Sequence, residues 1–549
     1  MKKYIKASIA ILFTFLLCIN LFIASSSAQN SPQTLVGVTE RVSIASDGTQ
    51  GNSGSYYSSI SANGRYVAFS SVSSNLVTGD TNGSNDVFVH DRVTGVTTRV
   101  SVASDGTQGN GDSGDYNLSI TADGRYVAFI SMASNLVVGD TNLCSYPKLP
   151  LYNCADVFVH DRVTGETTLV SVASDGTQAN NESWHPSISA DGRYLAFASV
   201  ASNLVVGDTN GISDVFVHNQ VTGETTRVSV ASDGAQAWGP SGEASISVDG
   251  RFVAFSSNAS NLVVGDTNVS EDIFVKDRVT SETTRLSVAS DGSQGDLHSL
   301  SPSISADGRY VAFVSWADNL VVGDTNGFED IFMHDRQTGE TTRVSVASNG
   351  AHGNLSVWWL SSISADGRFV AFRSDSSNMV VGDTNAVSDV FVHDRVTGET
   401  TRVSIASDEV QGTQASGFNG ISISANGRYV VFDSLSTNLV LGDTNGKSDI
   451  FVRDREGLVV GYSVSGSVSD LGGNPLPGVI ISAGYGYSAI TDSQGDYSIS
   501  GLSSGTYWIS ASLTDSFFTP FIRTVSMPPN RVGVNFTEGF PAFLPLIGR

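Results

Sequence analysis

One motif, close to SISADGRYVAFSS…NLVVGDTNG…DVFVHDRVTGETTRVSVASDG, recurs seven times along this 549-residue chain. The glycine of its DGR or NGR turn stands at Gly64, Gly124, Gly192, Gly250, Gly308, Gly367 and Gly427, in steps of 60, 68, 58, 58, 59 and 60 residues. A period of this length marks an array of one supersecondary unit, which buries its apolar faces only against copies of itself.

Each copy reads as four short strands, here A to D. In the first, strand A is residues 58–61, and Asn63-Gly64 is the tight turn of a two-residue hairpin. Strand B is residues 65–70, rich in β-branched and aromatic side chains. A longer connection through Gly79-Asp80-Thr81-Asn82 leads to strand C, residues 86–91, and a turn at Gly95 leads to strand D, residues 97–102. Strand B is apolar on both faces, Val67 and Phe69 on one and Tyr66 and Ala68 on the other, which requires a neighbour on each side. No helical period appears in the array. The pattern predicts an all-β chain with a seven-bladed β-propeller over residues 38–456. The seventh copy stops after its strand C, at Asp454, and the missing strand D stands at the front, from Thr39 to Ser46. That exchange predicts a ring latched by the N-terminal strand.

Two stretches, Asp123-Gly124-Arg125-Tyr126-Val127-Ala128-Phe129 and Asp156-Val157-Phe158-Val159-His160-Asp161, resemble the TolB-type, WD-like propeller repeats of bacteria. The resemblance implies the fold and no single function, since such propellers serve as binding modules, enzyme gates and catalytic domains. The domain that TolB carries before its propeller has no counterpart in this pattern, so its partners do not carry over. Residues 460–538 have a different grammar of strands with Gly and Pro turns, including Asn474-Pro475-Leu476-Pro477-Gly478 and Asp492-Ser493-Gln494-Gly495-Asp496. They resemble the carboxypeptidase regulatory-like, transthyretin-like module, which implies a small β-sandwich with a non-catalytic accessory role. Residues 539–549 form an apolar tail too short to span a bilayer.

Residues 1–28 read as a secretory signal, with Lys2, Lys3 and Lys6 before an apolar run and Ser26-Ser27-Ala28 at the cleavage site. A retained membrane anchor is the rival reading. Losing those three lysines takes the formal charge from −24 to near −27. That balance argues against nucleic acid and anionic lipid, both of which call for Lys and Arg. Two cysteines then remain, Cys144 and Cys154. They bracket the insertion behind the 68-residue step, and in an oxidising compartment they should be bridged.

Two groups of residues could carry chemistry. The first is the acidic B–C connection, with pairs Asp80/Asp86, Asp208/Asp214, Asp266/Asp272, Asp324/Asp330, Asp383/Asp389 and Asp443/Asp449. Asn82, Asn210, Asn268, Asn326, Asn385 and Asn445 stand two places after the first aspartate of each pair, and in the second copy Asp140 and Asp156 are parted by the insertion. Oxygens clustered in a tight loop suit Ca2+, although the full calcium-loop pattern is not met. Turn chemistry accounts for the same residues.

The second group emerges when the repeat is subtracted. The D–A connections carry Tyr56, Tyr57, Tyr116, Trp184, Trp238, Trp358, Trp359 and Phe418, which suit stacking on a sugar or anchoring a peptide. They also carry His185, His298 and His352, the histidines outside the repeat, which are the candidates for a metal-assisted active site. His90, His160, His218, His334 and His393 share one strand-C position with Lys276 and Arg453, which marks a structural role. The sequence therefore predicts a secreted, non-catalytic binding or scaffold protein for an extracellular glycan or protein, with calcium ordering its acidic loops. One alternative is a polysaccharide lyase or hydrolase using the three singular histidines, as propeller-shaped pectin-fragment lyases use theirs. The other is a purely structural surface protein.

Overall fold

A computed structural model describes residues 36–144, 151–458, 462–484, 487–502, 505–513, 516–520, 522–527 and 531–539. The expected signal peptide and residues 540–549 of the tail lie outside the described residues. Two units are present, one running from Val36 to Gly457 and the other beginning at Leu458.

The first unit holds seven four-stranded antiparallel sheets, each in the order A-B-C-D. In the first blade these are Ser55–Ile60, Tyr66–Ser71, Asp86–Asp91 and Val96–Arg99. The seventh blade takes Ser416–Ile423, Tyr429–Ser434 and Asp449–Leu458 from its own copy and Val36–Arg41 from the N-terminal end, as its missing strand required. Ring closure is visible in one hydrogen bond repeated from blade to blade. Ala62 N donates to Ala122 O at 3.1 Å, each blade follows suit, and Ala425 N returns to Ala62 O at 3.0 Å.

Strand B packs on both faces. Ala68 faces the second blade with Val127 and Phe129, while Val67 and Phe69 meet Val431 and Val452 of the seventh. The recurring turn glycine has two reasons to be glycine. Gly64 has φ +74°, and a Cβ there would lie 2.1 Å from the ring of Tyr429 in the neighbouring blade. The strand-C histidines are structural. Thr97 Oγ1 donates its one proton to Ile44 O at 2.5 Å, so the His90 imidazole donates to Thr97 at 2.9 Å. Burial pushes His90, His160 and His334 down to about 4, which keeps them neutral.

The second unit is a sandwich of two four-stranded sheets. One holds Asp496–Leu502, Tyr462–Ser469, Phe536–Gly539 and Phe517–Thr519, and the other Tyr487–Ile490, Ile480–Gly484, Gly505–Ser512 and Ile522–Met527. Val464, Ile481, Ile499, Ile509 and Phe536 fill the space between them. Among the described residues no helix is long and apolar enough to cross a membrane.

Candidate functional site at the channel mouth

The aspartate pairs of the B–C connections already have a cation. Arg99, on strand D, stands 3.3 Å from Asp80 and 3.4 Å from Asp86. Arg227, Arg285, Arg343 and Arg402 stand likewise beside Asp208, Asp266, Asp324 and Asp383, and Arg41 of the closing strand serves Asp443 and Asp449. Ser101 donates to Asp86 at 2.5 Å, and Asn82 and Gln108 complete its shell at 3.1 and 3.0 Å.

The second aspartate of each pair opens strand C and is buried, so it faces protein rather than a loop open to a metal ion. Asp214 accepts from Ser229 at 2.5 Å and from Arg227 at 3.2 Å. Asp330 accepts from Ser345 at 2.5 Å and from Arg343 at 2.9 Å. Asp389 accepts from Ser404 at 2.5 Å and from Arg402 at 3.2 Å. Asp272 and Asp449 have the same serine and arginine partners in their blades. Asp214, Asp330 and Asp389, with their equivalents Asp86, Asp272 and Asp449, which the sequence offers as calcium ligands, are thus each held by a hydroxyl and a guanidinium of their own blade. Their oxygens are spent on a hydroxyl and a guanidinium, and the charge that a cation would have neutralised is neutralised inside the repeat. Asn210, Asn326 and Asn385 donate to these same carboxylates, at 2.9, 2.9 and 3.0 Å, and so act as turn residues. Among the described residues no group of three or more His, Cys, Asp or Glu is placed to hold a metal.

The second blade departs from this rule. Leu169 occupies the arginine's register position, so Asp140 and Asp156 share only Gln178, at 2.7 and 3.1 Å, with Ser171 on Asp156 at 2.7 Å. Burial pushes Asp156 up to about 7. A carboxyl that keeps its proton when folded and loses it when unfolded favours the fold at low pH, so stability should fall as pH rises from about 4 to about 7. Asp272, which has its arginine, sits at about 6. Leu169→Arg should therefore add roughly 1 kcal/mol at pH 8, one unit of pKa, and little at pH 4. Urea unfolding of both proteins at the two pH values checks this, and an equal gain at both would rule out the carboxyl pair as its source. The expected Cys144–Cys154 disulfide is formed, with its Cα atoms 5.0 Å apart.

The aromatic set is placed differently from the expectation. Tyr56, Tyr57, Trp184, His185, Trp358, Trp359 and Phe418 lie in strand A, the innermost strand, and not in the D–A loops. They were misplaced because every strand A begins before a β-bulge that breaks its alternation, as between Tyr56 and Ser58 or Trp184 and Ser187. In the first five blades the bulge turns one side chain into the channel. That side chain stands three residues before the repeat's isoleucine: Tyr57, Asn117, His185, Glu243 and Ser301 in the first five blades, each at positive φ, from 45° to 88°. Left-handed backbone costs a non-glycine residue roughly 1–2 kcal/mol. Val269, Ser281, Ala386 and Glu409 also have positive φ, in turns where other copies carry glycine, so what sets these five apart is that they all face one cavity.

Together with Trp358, Trp359, Arg373, Phe418 and Asn419, these residues line one cavity of about 400 Å3 at the channel mouth. Its two walls differ. On the blade-three to blade-five side, Glu243 Oε2 accepts from Ser301 N at 2.7 Å and from Ser301 Oγ at 3.3 Å. Burial holds His185 toward its neutral form against the pull of Glu243, and its Nδ1 is buried with no hydrogen-bond partner among the described residues. On the blade-six and blade-seven side, Trp358, Trp359 and Phe418 are 41%, 54% and 49% exposed, and Trp316 meets Trp359 edge-on at 6.4 Å. Beneath that aromatic ledge Arg373 is buried, its guanidinium 4.5 Å from the Trp358 ring and 3.7 Å from that of Phe418.

Other expected residues do not join the cavity. Trp184 packs into the core between blades two and three, and Trp238 is 78% exposed on its D–A connection. The Tyr116 side chain lies outside the described residues. The three singular histidines do not converge. Only His185 lines the cavity; His298 Nδ1 accepts from Glu271 N at 3.1 Å, and His352 takes a glutamine's place beside Arg343. Arg373, Glu243, Asn117, Ser301 and Asn419 were missed from the sequence. Arg373 had a signal, since the other copies carry Ser70, Ile130, Ala198, Ser256, Val314 and Asp433 at its strand-B position.

Residues 463–534 match the carboxypeptidase regulatory-like domain. No curated protein matches the chain. Among solved structures, a putative TolB from Agrobacterium tumefaciens is similar at 13% identity, over 53% of this chain and 80% of that one, with a TM-score of 0.32. An oligogalacturonate lyase from Vibrio parahaemolyticus is similar at 13% identity, over 77% and 92%, with a TM-score of 0.42. The propeller domain of the Trilobed protease from Pyrococcus furiosus is similar at 11% identity, over 73% and 96%, with a TM-score of 0.41.

Proposed function

We propose that this chain, a seven-bladed propeller followed by a carboxypeptidase regulatory-like domain, is a secreted, non-catalytic glycan-binding protein that takes its ligand at the channel mouth. The observation that carries this reading is the row of five non-glycine residues held in left-handed backbone, all facing one cavity. Strain of this kind also occurs in turns of the repeat, at Val269 and Ala386 among others, so it is the convergence of the five side chains on one cavity, and not the strain alone, that supports the reading. Their chemistry is amide, imidazole, carboxylate and hydroxyl against an aromatic wall, which is what a sugar needs: hydrogen bonds at its edge and a flat apolar contact on its face. A protein built from one repeat can bind a single asymmetric ligand only where its copies differ, and this cavity is lined by the positions at which they do. An accessory role for the sandwich is consistent with its family, and calcium has no part in this reading.

A binding role is favoured over hydrolysis or lyase chemistry because the histidines that would carry catalysis stand in three unrelated settings. A glycan array probed with the full chain tests the proposal, alongside the double variant His185→Gly/Glu243→Gly. Glycine relieves strain at both positions at a similar cost in chain entropy, while Ser301 N loses its acceptor, so the melting temperature should fall by no more than a few degrees. Retention of the bound glycans should fall by at least about tenfold, the loss of one or two good hydrogen bonds. An array on which nothing is retained, with a protein or peptide partner found instead, would replace the glycan with that partner. Unchanged retention by the double variant would remove the cavity as the site.

A further inference from the structure

Strand B carries a charged side chain at its fifth position in only two copies, Arg373 and Asp433, and both lie in the blades that form the aromatic ledge. Arg373 is 3% exposed and lines the cavity. Two rings stack against the faces of its guanidinium, which leaves hydrogen bonding to its edges. One edge donates to Ser388 Oγ at 2.8 Å, and Ser388 in turn donates to Asp375. The Arg373 Nε lacks a hydrogen-bond partner among the described residues, as do those of Arg99, Arg227 and Arg343, but those arginines have an ion pair with a carboxylate and Arg373 has none among the described residues. Asp433 offers little compensation in charge. It is buried, accepts from Asn419 N at 3.0 Å, and burial drives it toward its neutral form. Asp375 and Asp433 act on the guanidinium from a distance, but no carboxylate forms an ion pair with it among the described residues, and a planar anion is the natural complement of a buried guanidinium left so.

We propose that the glycan taken at the channel mouth is acidic, and that Arg373 reads a carboxylate on a sugar ring stacked against Trp358 and Phe418. This deepens the reading above and rests on it. Arg373 would act in place of a lysine because its fork matches a carboxylate while its flat faces stay between the rings. Glu243 sets the orientation from the opposite side. Its own charge repels a carboxylate, so the acidic end of the sugar goes to blades six and seven and a hydroxyl-bearing edge goes to Glu243 and Ser301.

The test is isothermal titration of the full chain with a hexuronate oligosaccharide and with the same oligosaccharide after reduction of its carboxyl groups, so that linkage and shape are kept. The acidic form should bind about tenfold more tightly or better, the worth of a charge-assisted hydrogen bond. Arg373→Gln should abolish that preference, so that the variant binds the acidic and the reduced form alike. Arg373→Lys should restore only part of the preference. If the two forms bind the native chain equally, the inference is overturned while the glycan reading stands. If neither is retained and neutral glycans also fail, the glycan reading itself falls. If Arg373→Gln weakens both forms alike, Arg373 only shapes the ledge and the inference is again overturned. The comparison on the native chain needs no variant, so it holds even if Arg373→Gln does not fold.

Discussion

A chain cut back from its amino terminus through Ile44 should lose about 5 kcal/mol of stability. The segment removed is strand D of the seventh blade. Val42 is fully buried between the first and seventh blades, beside Phe69, Phe88 and Ile450. Ser43 donates to Asp449 at 2.6 Å, and Arg41 is the cation for Asp443 and Asp449. Taking the arginine away leaves Asp443 and Asp449 to share Gln50, as Asp140 and Asp156 share Gln178; the larger losses are the burial of Val42, about 1.5–3 kcal/mol, and the Ser43 hydrogen bond to a carboxylate, about 1.5–3 kcal/mol. The cut also exposes strand C of the seventh blade, Asp449–Leu458, as an open edge, so the shortened protein should associate through it. Calorimetry and light scattering read the two effects. A synthetic peptide spanning residues 36–50 should recover much of the melting temperature by refilling the edge. If the shortened chain melts with the full one, the ring does not depend on its latch.

The milder Arg41→Leu change recreates at the seventh blade what the second already has at Leu169. That one chain tolerates both arrangements shows why the acidic loops were hard to read. Asp, Asn and Asp in a turn call for a positive charge, and calcium and a guanidinium both answer. The arginine lies 13 residues beyond the second aspartate, as Arg99 does from Asp86, and nothing in local spacing says that strand D returns it to the loop. Only sheet topology does, through the pairing of Phe88 with Arg99. The same pairing sets Arg227 beside Asp214, Arg343 beside Asp330 and Arg402 beside Asp389, which is why all three aspartates read as metal ligands in the sequence and as ion-pair partners in the fold.

The architecture was legible because it is written seven times. Strand B needed apolar residues on both faces, the hairpin turn needed its glycine, and the displaced strand D could only close a ring. The strand-A boundaries were not legible, because a β-bulge suspends the alternation by which strands are read. Tyr57 and Trp359 look like loop aromatics for that reason alone. The channel also selects for identity three places before each isoleucine, a register that becomes visible only once the inner strands stand side by side. Glu243 and Ser301 carry no signal of their own, since one acidic and one hydroxyl side chain among turns are unremarkable in any sequence.

Trp359→Ala should weaken glycan binding about tenfold, and the double variant Trp358→Ala/Trp359→Ala about a hundredfold. Both rings are roughly half exposed, so little of their area is committed to the fold and little stability should go with them. Trp359 touches Trp316 at the ring edge and otherwise presents its surface to the cavity, which makes the single change a test of stacking alone. The double change also uncovers one face of Arg373, so its loss should be greater for an acidic sugar than for a neutral one. Trp238→Ala is the matched control. It removes an equally large ring, 78% exposed, from a connection that does not line the cavity, and binding should stay within about twofold. Titration of one glycan into all four proteins separates the cases. Equal losses for Trp238 and Trp359 would mean that any surface tryptophan serves and that the ledge has no privileged place. A loss confined to Trp358 and Trp359 would tie affinity to the wall where the repeat breaks its own pattern, and a ring on that wall then belongs to the ligand rather than to the fold.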